Sequence, residues 1–105
     1  MAVTTLAQVA TSAAAALGVP GFDDAVGIGP ARHVVTCLVD GLGANLLARY
    51  AELAPRLAGM SGAPISAVFP TTTPVGLGSF GTGLMPGVHG LVGASFLLPE
   101  SDQML

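Results

Sequence analysis

The sequence predicts an α/β fold with a mostly parallel sheet, on three observations. Helical and extended segments alternate along the chain: helix, strand, helix, strand, helix, strand, the order that builds parallel pairing in an α/β layer. The first extended run, His33-Val34-Val35-Thr36-Cys37-Leu38-Val39, is apolar and β-branched without alternation, as in a strand covered on both faces. It ends on Asp40-Gly41-Leu42-Gly43, and the second run, residues 65–69, ends on Pro70-Thr71-Thr72-Thr73-Pro74. Polar turns at the carboxyl ends of neighbouring strands are where open parallel sheets hold ligands.

The elements follow in order. Thr4 or Thr5 can cap a first helix that runs to about Leu17, where Gly18 and Pro20 stop it, with Leu6, Val9, Ala13 and Leu17 on one face. Residues 18–32, rich in Gly and Pro, read as loop, and Asp23-Asp24 within them as a solvated pair or the start of a short turn. After the first strand, a helix runs from Ala44 to Leu53 or Leu57, its core face made of Leu46, Leu47, Tyr50, Leu53 and Leu57. Pro55 disfavours the helical state at Ala54. Residues 59–64 are loop and 65–69 the second strand. Thr73 is placed as N-cap and Pro74 as first residue of a glycine-rich helix to about Gly81. Met85-Pro86-Gly87-Val88-His89-Gly90 is a turn, and residues 91–98 a third strand.

Composition limits the function. The 105 residues suffice for one modest domain, but only 9% are charged against 51% hydrophobic. An isolated domain so composed carries an unusually apolar surface, which marks the chain as part of something larger. Three arginines, no lysine and a net charge of −3 leave no basic patch, so binding nucleic acid through its phosphates is excluded. The lone Cys37 forms no intrachain disulfide and no metal site by itself, and its apolar run places it in the core. The alanine-rich stretch 6–17 is too short and too weakly apolar to span a bilayer. The start lacks the basic residues of a secretory signal, which predicts a cytoplasmic protein.

Two residues carry the chemistry. Asp40 closes the first strand and Thr73 follows the second. A carboxylate and a hydroxyl at one sheet edge can share a metal ion, which lowers the pKa of the hydroxyl and makes it a nucleophile near neutral pH. The free N–H groups of the helix start favour an incoming phosphate. Taken singly, Asp40 in an Asp-Gly pair is as readily a turn residue, and Thr73 more readily a plain N-cap. Together they favour a site. Thr71 and Thr72 are assigned supporting places, His89 stabilises its turn, and His33 is a surface residue.

Three blocks in order, Val39-Asp40-Gly41, then Phe69-Pro70-Thr71-Thr72-Thr73-Pro74, then Thr82-Gly83-Leu84-Met85-Pro86-Gly87-Val88-His89-Gly90-Leu91-Val92-Gly93, resemble the type I phosphodiesterase/nucleotide pyrophosphatase family of the alkaline phosphatase superfamily. The resemblance implies a three-layer α/β/α fold, alkaline-phosphatase-like and incomplete in this chain. It implies two zinc ions, and a threonine nucleophile that passes through a covalent phospho-enzyme. Asp40 matches the first metal-binding aspartate and Thr73 the nucleophile, both on the same zinc. His89 matches a motif histidine that is not a zinc ligand. The implied substrate is a small phosphodiester or nucleotide.

The chain departs from the family in places. Many members carry an asparagine after the His-Gly block, where this chain has Ala94, and Phe-Pro-Asn after the nucleophile, where Pro74-Val75-Gly76 stands. Oxyanion stabilisation then falls to the Thr73 backbone N–H and the metals. Two zinc ions take about six protein ligands between them. After His89 only Glu100 and Asp102 remain, with no Asp-x-x-x-His or Asp-His pair. Residues 1–105 are therefore expected to be the N-terminal portion of a single catalytic domain, inactive alone.

Other functions fit less well. A phosphomutase or phosphatase of the same superfamily shares the Asp-Gly-x-Gly turn but not the Pro-Thr-x-Thr block. A sulfatase needs a Cys/Ser-x-Pro-x-Arg setting, and a haloacid-dehalogenase phosphatase a second aspartate where Leu38 or Leu42 stands. A non-catalytic nucleotide-binding module rests on Gly41-x-Gly43 alone, without a third glycine or a later acidic partner.

Overall fold

A computed structural model describes residues 3–95, 97, 100, 101, 103 and 104. Among the described residues there are five α-helices, α1 (Ala7–Ala16), α2 (Ala44–Arg49), α3 (Pro55–Gly59), α4 (Thr73–Thr82) and α5 (Pro86–His89), and one 3-10 turn (Ala51–Leu53). The radius of gyration is 15.9 Å, above the roughly 13 Å of a close-packed domain of this length.

α1 starts without a side-chain cap on its N-terminal amides. The expected threonine cap is replaced by half of a capping box: the Thr5 N–H donates to Gln8 Oε1 at 2.8 Å. The Thr5 hydroxyl faces Met85 Sδ instead. The C-terminus closes as the sequence indicates. The Gly18 N–H bonds the Ala15 carbonyl and the Val19 N–H the Ala14 carbonyl, a Schellman ending. The buried positions are Ala7, Ser12 and Ala16, not the expected Leu6, Val9, Ala13 and Leu17 face. Small side chains are buried there because α4 comes close. Gly83 ends α4 at φ 71°, and a Cβ on it would stand 2.6 Å from Thr11 Cγ2.

The loop after α1 is tied down by Asp24. Its carboxylate accepts the Gly29 N–H at 2.7 Å and the Gly27 N–H at 2.9 Å, and the Val26 N–H donates to buried Ser12 Oγ at 3.1 Å. Asp24 is thus an organiser of the loop rather than a solvated charge. Its pKa is held below the ordinary aspartate value, first by the Gly29 N–H, then by those of Ile28 and Gly27. A lowered pKa contributes stability that is present above the unfolded-state value of about 3.9 and lost as pH falls through the folded value. Amide exchange at Gly27 and Gly29 is accordingly expected to accelerate below about pH 3.9 in excess of the intrinsic acid trend, and Asp24→Asn to abolish that excess.

Residues 33–39 form no strand. Val35 is 93% exposed, and no backbone group of the segment bonds another segment among the described residues. An extended run becomes a strand only by pairing. Cys37, expected in the core, is exposed for the same reason. It is expected to react fully with an aromatic disulfide reagent without denaturant, and a thiol silent until unfolding would contradict this. Residues 65–69 make one parallel bridge, Ser66 to Thr5, with Leu6 N–H to Ser66 O and Ser66 N–H to Thr4 O both 2.9 Å. Val68, two residues on, is buried, as is Val75 of α4. In the expected third strand, Leu97 bridges Met104, while Phe96 and Leu98 lie outside the described residues, as does Asp102.

The helix expected from Ala44 to Leu53 or Leu57 is interrupted at Tyr50 and at Ala54. Tyr50 leaves helical geometry at φ −115°, ψ 29° and Ala54 at φ −136°, ψ 59°, the second because Pro55 clashes with a helical predecessor. Pro55 then opens α3, where its missing N–H costs nothing. Leu46, Tyr50 and Leu57 share one side as expected, but they border an open groove with Leu53 and are 44–77% exposed. They are not core in this chain by itself.

Candidate active site

The two residues singled out in the sequence meet in the structure. Thr73 Oγ1 donates to Asp40 Oδ2 at 3.0 Å, across 33 residues of chain. The cap is shifted by one from the expectation: Thr72, extended at φ −112°, ψ 153°, is the N-cap, and Thr73 is the first helical residue. No side chain caps α4; the Gly76 N–H takes the Thr72 carbonyl at 2.9 Å. Thr73, one place inside, turns its hydroxyl to Asp40.

Asp40 is exposed at the head of the turn that Gly41 makes at φ 74°. The pair stands in a cleft of about 530 Å³, with Thr71 and Thr72 on its rim and Leu6, Leu38, Val68 and Leu77 among its apolar walls. Leu6 is a wall that the sequence did not reveal, and it comes from outside the motif blocks. Its Cδ2 lies 3.5 Å from where a Cβ on Gly76 would be.

The pair can be tested against zinc. Zinc–oxygen bonds are about 2.0–2.2 Å, so two oxygens on one tetrahedral ion stand roughly 3.3–3.6 Å apart. The 3.0 Å between Thr73 Oγ1 and Asp40 Oδ2 is a hydrogen-bond distance a little shorter than that spacing, so the two oxygens would part slightly to share such an ion. The pair does not complete a site, since tetrahedral zinc takes three or four protein donors, and no cluster of three His, Cys, Asp or Glu occurs among the described residues.

His89 stands away from this pair. Its Nδ1 accepts the Leu91 N–H at 3.1 Å, and its Nε2 lies 2.8 Å from Ser79 Oγ. It secures the turn, as expected from the sequence, but its partner Ser79 was not foreseen. The only available signal was the pair of small residues Gly78-Ser79 in a helix ten residues upstream of it.

The type I phosphodiesterase / nucleotide pyrophosphatase family model matches residues 34–104. The chain belongs to that family. No curated protein and no solved structure gave a match. As a member of the phosphodiesterase/pyrophosphatase family, the chain is of a hydrolase type, and the match spans Asp40, Thr73 and His89. Helix α1, with Leu6 before it, lies outside the match while lining or supporting the same cleft. No described helix of this phosphodiesterase-family chain is long and apolar enough to cross a membrane.

Proposed function

We propose that this domain hydrolyses phosphodiester or nucleotide pyrophosphate bonds with Thr73 as nucleophile and Asp40 as a metal anchor. The supporting observation is the 3.0 Å contact between Thr73 Oγ1 and Asp40 Oδ2 at the start of a ten-residue helix. Asp40 takes the hydroxyl's hydrogen bond, which leaves the lone pairs of Oγ1 free. The free amides of the first turn of α4 favour the negative charge of an arriving phosphate, an effect of about 0.3–1 kcal/mol at an exposed helix end. Zinc, two ions in the complete site, would supply the Lewis acidity that lowers the hydroxyl pKa, with Asp40 and Thr73 holding one ion.

In the first step the Thr73 hydroxyl gives up its proton to water as Oγ1 bonds to phosphorus, and the phosphorus–oxygen bond to the leaving group breaks, its electron pair going with the leaving oxygen. In the second, water attacks phosphorus and the Thr73 oxygen departs, regenerating the hydroxyl. The extended segments 33–39 and 65–69, ending at Asp40 and just before Thr73, would then join a parallel sheet whose carboxyl edge holds the site.

The test is chemical trapping. Active enzyme carrying this chain is mixed with bis(4-nitrophenyl) phosphate, quenched in acid and digested. Mass spectrometry is expected to find the retained half of the diester on Thr73. An adduct on Thr71 or Thr72 would overturn the assignment, as would turnover with no adduct at any quench time.

A further inference from the structure

We infer that His89 is a positioning residue, a neutral pin that sets the rotation of α4 and so aims Thr73 at Asp40; this rests on the reading of Thr73 given above. The tautomer follows from the partners. Leu91 N–H can only donate, so Nδ1, 3.1 Å away, carries a lone pair. The proton of a neutral imidazole is then on Nε2, which donates to Ser79 Oγ at 2.8 Å. Ser79 is fully buried, so loss of this bond would leave a polar group unpaired in the interior.

The position on the helix gives the bond its leverage. Gly76 and Gly83, two turns apart on α4, meet Leu6 and Thr11 on the side of α1. Gly78 lies about 200° around the helix from Gly76. A Cβ there would stand 3.0 Å from Leu91 Cδ1 and 3.2 Å from His89 Cε1. The His89–Leu91 turn thus packs against Gly78 on the side of α4 away from α1, while Ser79, about 300° from Gly76, takes the hydrogen bond between those two faces. Each residue of rotation about the helix axis is about 100°, so slippage on the pinned side carries the Thr73 hydroxyl out of reach of Asp40.

The experiment uses the 105-residue chain labelled with 15N and with 13C in the threonine methyls. The expected wild-type imidazole spectrum has Nε2 protonated and Nδ1 bare, with one rotamer at Thr73. His89→Ala is expected to speed exchange of the Gly76 amide about tenfold and to average the Thr73 methyl, while the Leu17 amide of α1 keeps its rate. His89→Gln, whose Nε2 can still donate to Ser79, is expected to recover most of the protection, and His89→Asn, which keeps only an acceptor for Leu91, is not. A wild-type Nδ1–H tautomer would overturn the proposal, as would equal loosening of α1 and α4. If His89→Ala does not fold, Ser79→Ala decides: unchanged Gly76 exchange and an unchanged Thr73 methyl refute the pin. None of these readouts measures turnover, so they stand or fall apart from the nucleophile assignment.

Discussion

Thr73→Ala is expected to lower phosphodiester turnover on the order of 10⁴-fold or more, as deleting the nucleophile does in enzymes that work through a covalent intermediate. Thr73 is exposed at the cleft, so the substitution leaves no cavity and the loss would be chemical. Thr73→Ser keeps the hydroxyl and is expected to retain measurable turnover. Asp40→Asn preserves the shape but removes the charge that accepts the hydroxyl proton at 3.0 Å. It is expected to reduce both turnover and metal content, whereas Thr73→Ala reduces turnover with metal retained. Release of 4-nitrophenolate and metal analysis of the same preparations separate the two. Turnover of Thr73→Ala within tenfold of wild type would remove Thr73 from the mechanism.

Gly83→Ala is expected to cause the largest loss of stability of any single methyl addition. At φ 71° the residue ends α4 in the left-handed region, which costs a non-glycine residue about 1–2 kcal/mol. The new Cβ would also stand 2.6 Å from Thr11 Cγ2, and forcing α1 and α4 apart costs about 1–3 kcal/mol more. A total of about 2–5 kcal/mol corresponds to a fall in Tm of roughly 10–25 °C for a chain of this size. Thr11→Ser removes the opposing methyl. The double variant is therefore expected to lose only the backbone part, about 1–2 kcal/mol. Urea unfolding of the four proteins closes the cycle, and additive losses would show that the methyl contact is irrelevant.

The candidate site was more legible than the fold around it. Asp40 and Thr73 were recognisable because turn chemistry is local: Asp-Gly after an apolar run, and Thr-Pro at a helix start, each state a backbone geometry. Pro55 announced the break at Ala54, and Gly18 with Pro20 the end of α1, for the same reason. The extended runs were not legible in this way. The composition of residues 33–39 fits a covered strand, but a strand exists only through its partner, and Val35 and Cys37 stand in solvent. The face of α1 was misjudged because hydrophobicity ranks leucine over alanine, whereas approach to a glycine-rich helix selects the smaller side chain. Ser79 was invisible because nothing within ten residues marks it as a histidine's partner.

The contact of the chain's opening residues with Ser66 and α4 has a practical consequence for dissection and for descent. Thr4, Thr5 and Leu6 clasp residue 66 through two 2.9 Å bonds, and Leu6 walls the cleft. Similarity to the family begins only at residue 34. An expression boundary drawn where the recognisable ancestry starts would discard the partner against which the Thr73 helix rests. The segment that carries the lineage and the segment that must be kept whole to hold Thr73 in place are therefore not the same length.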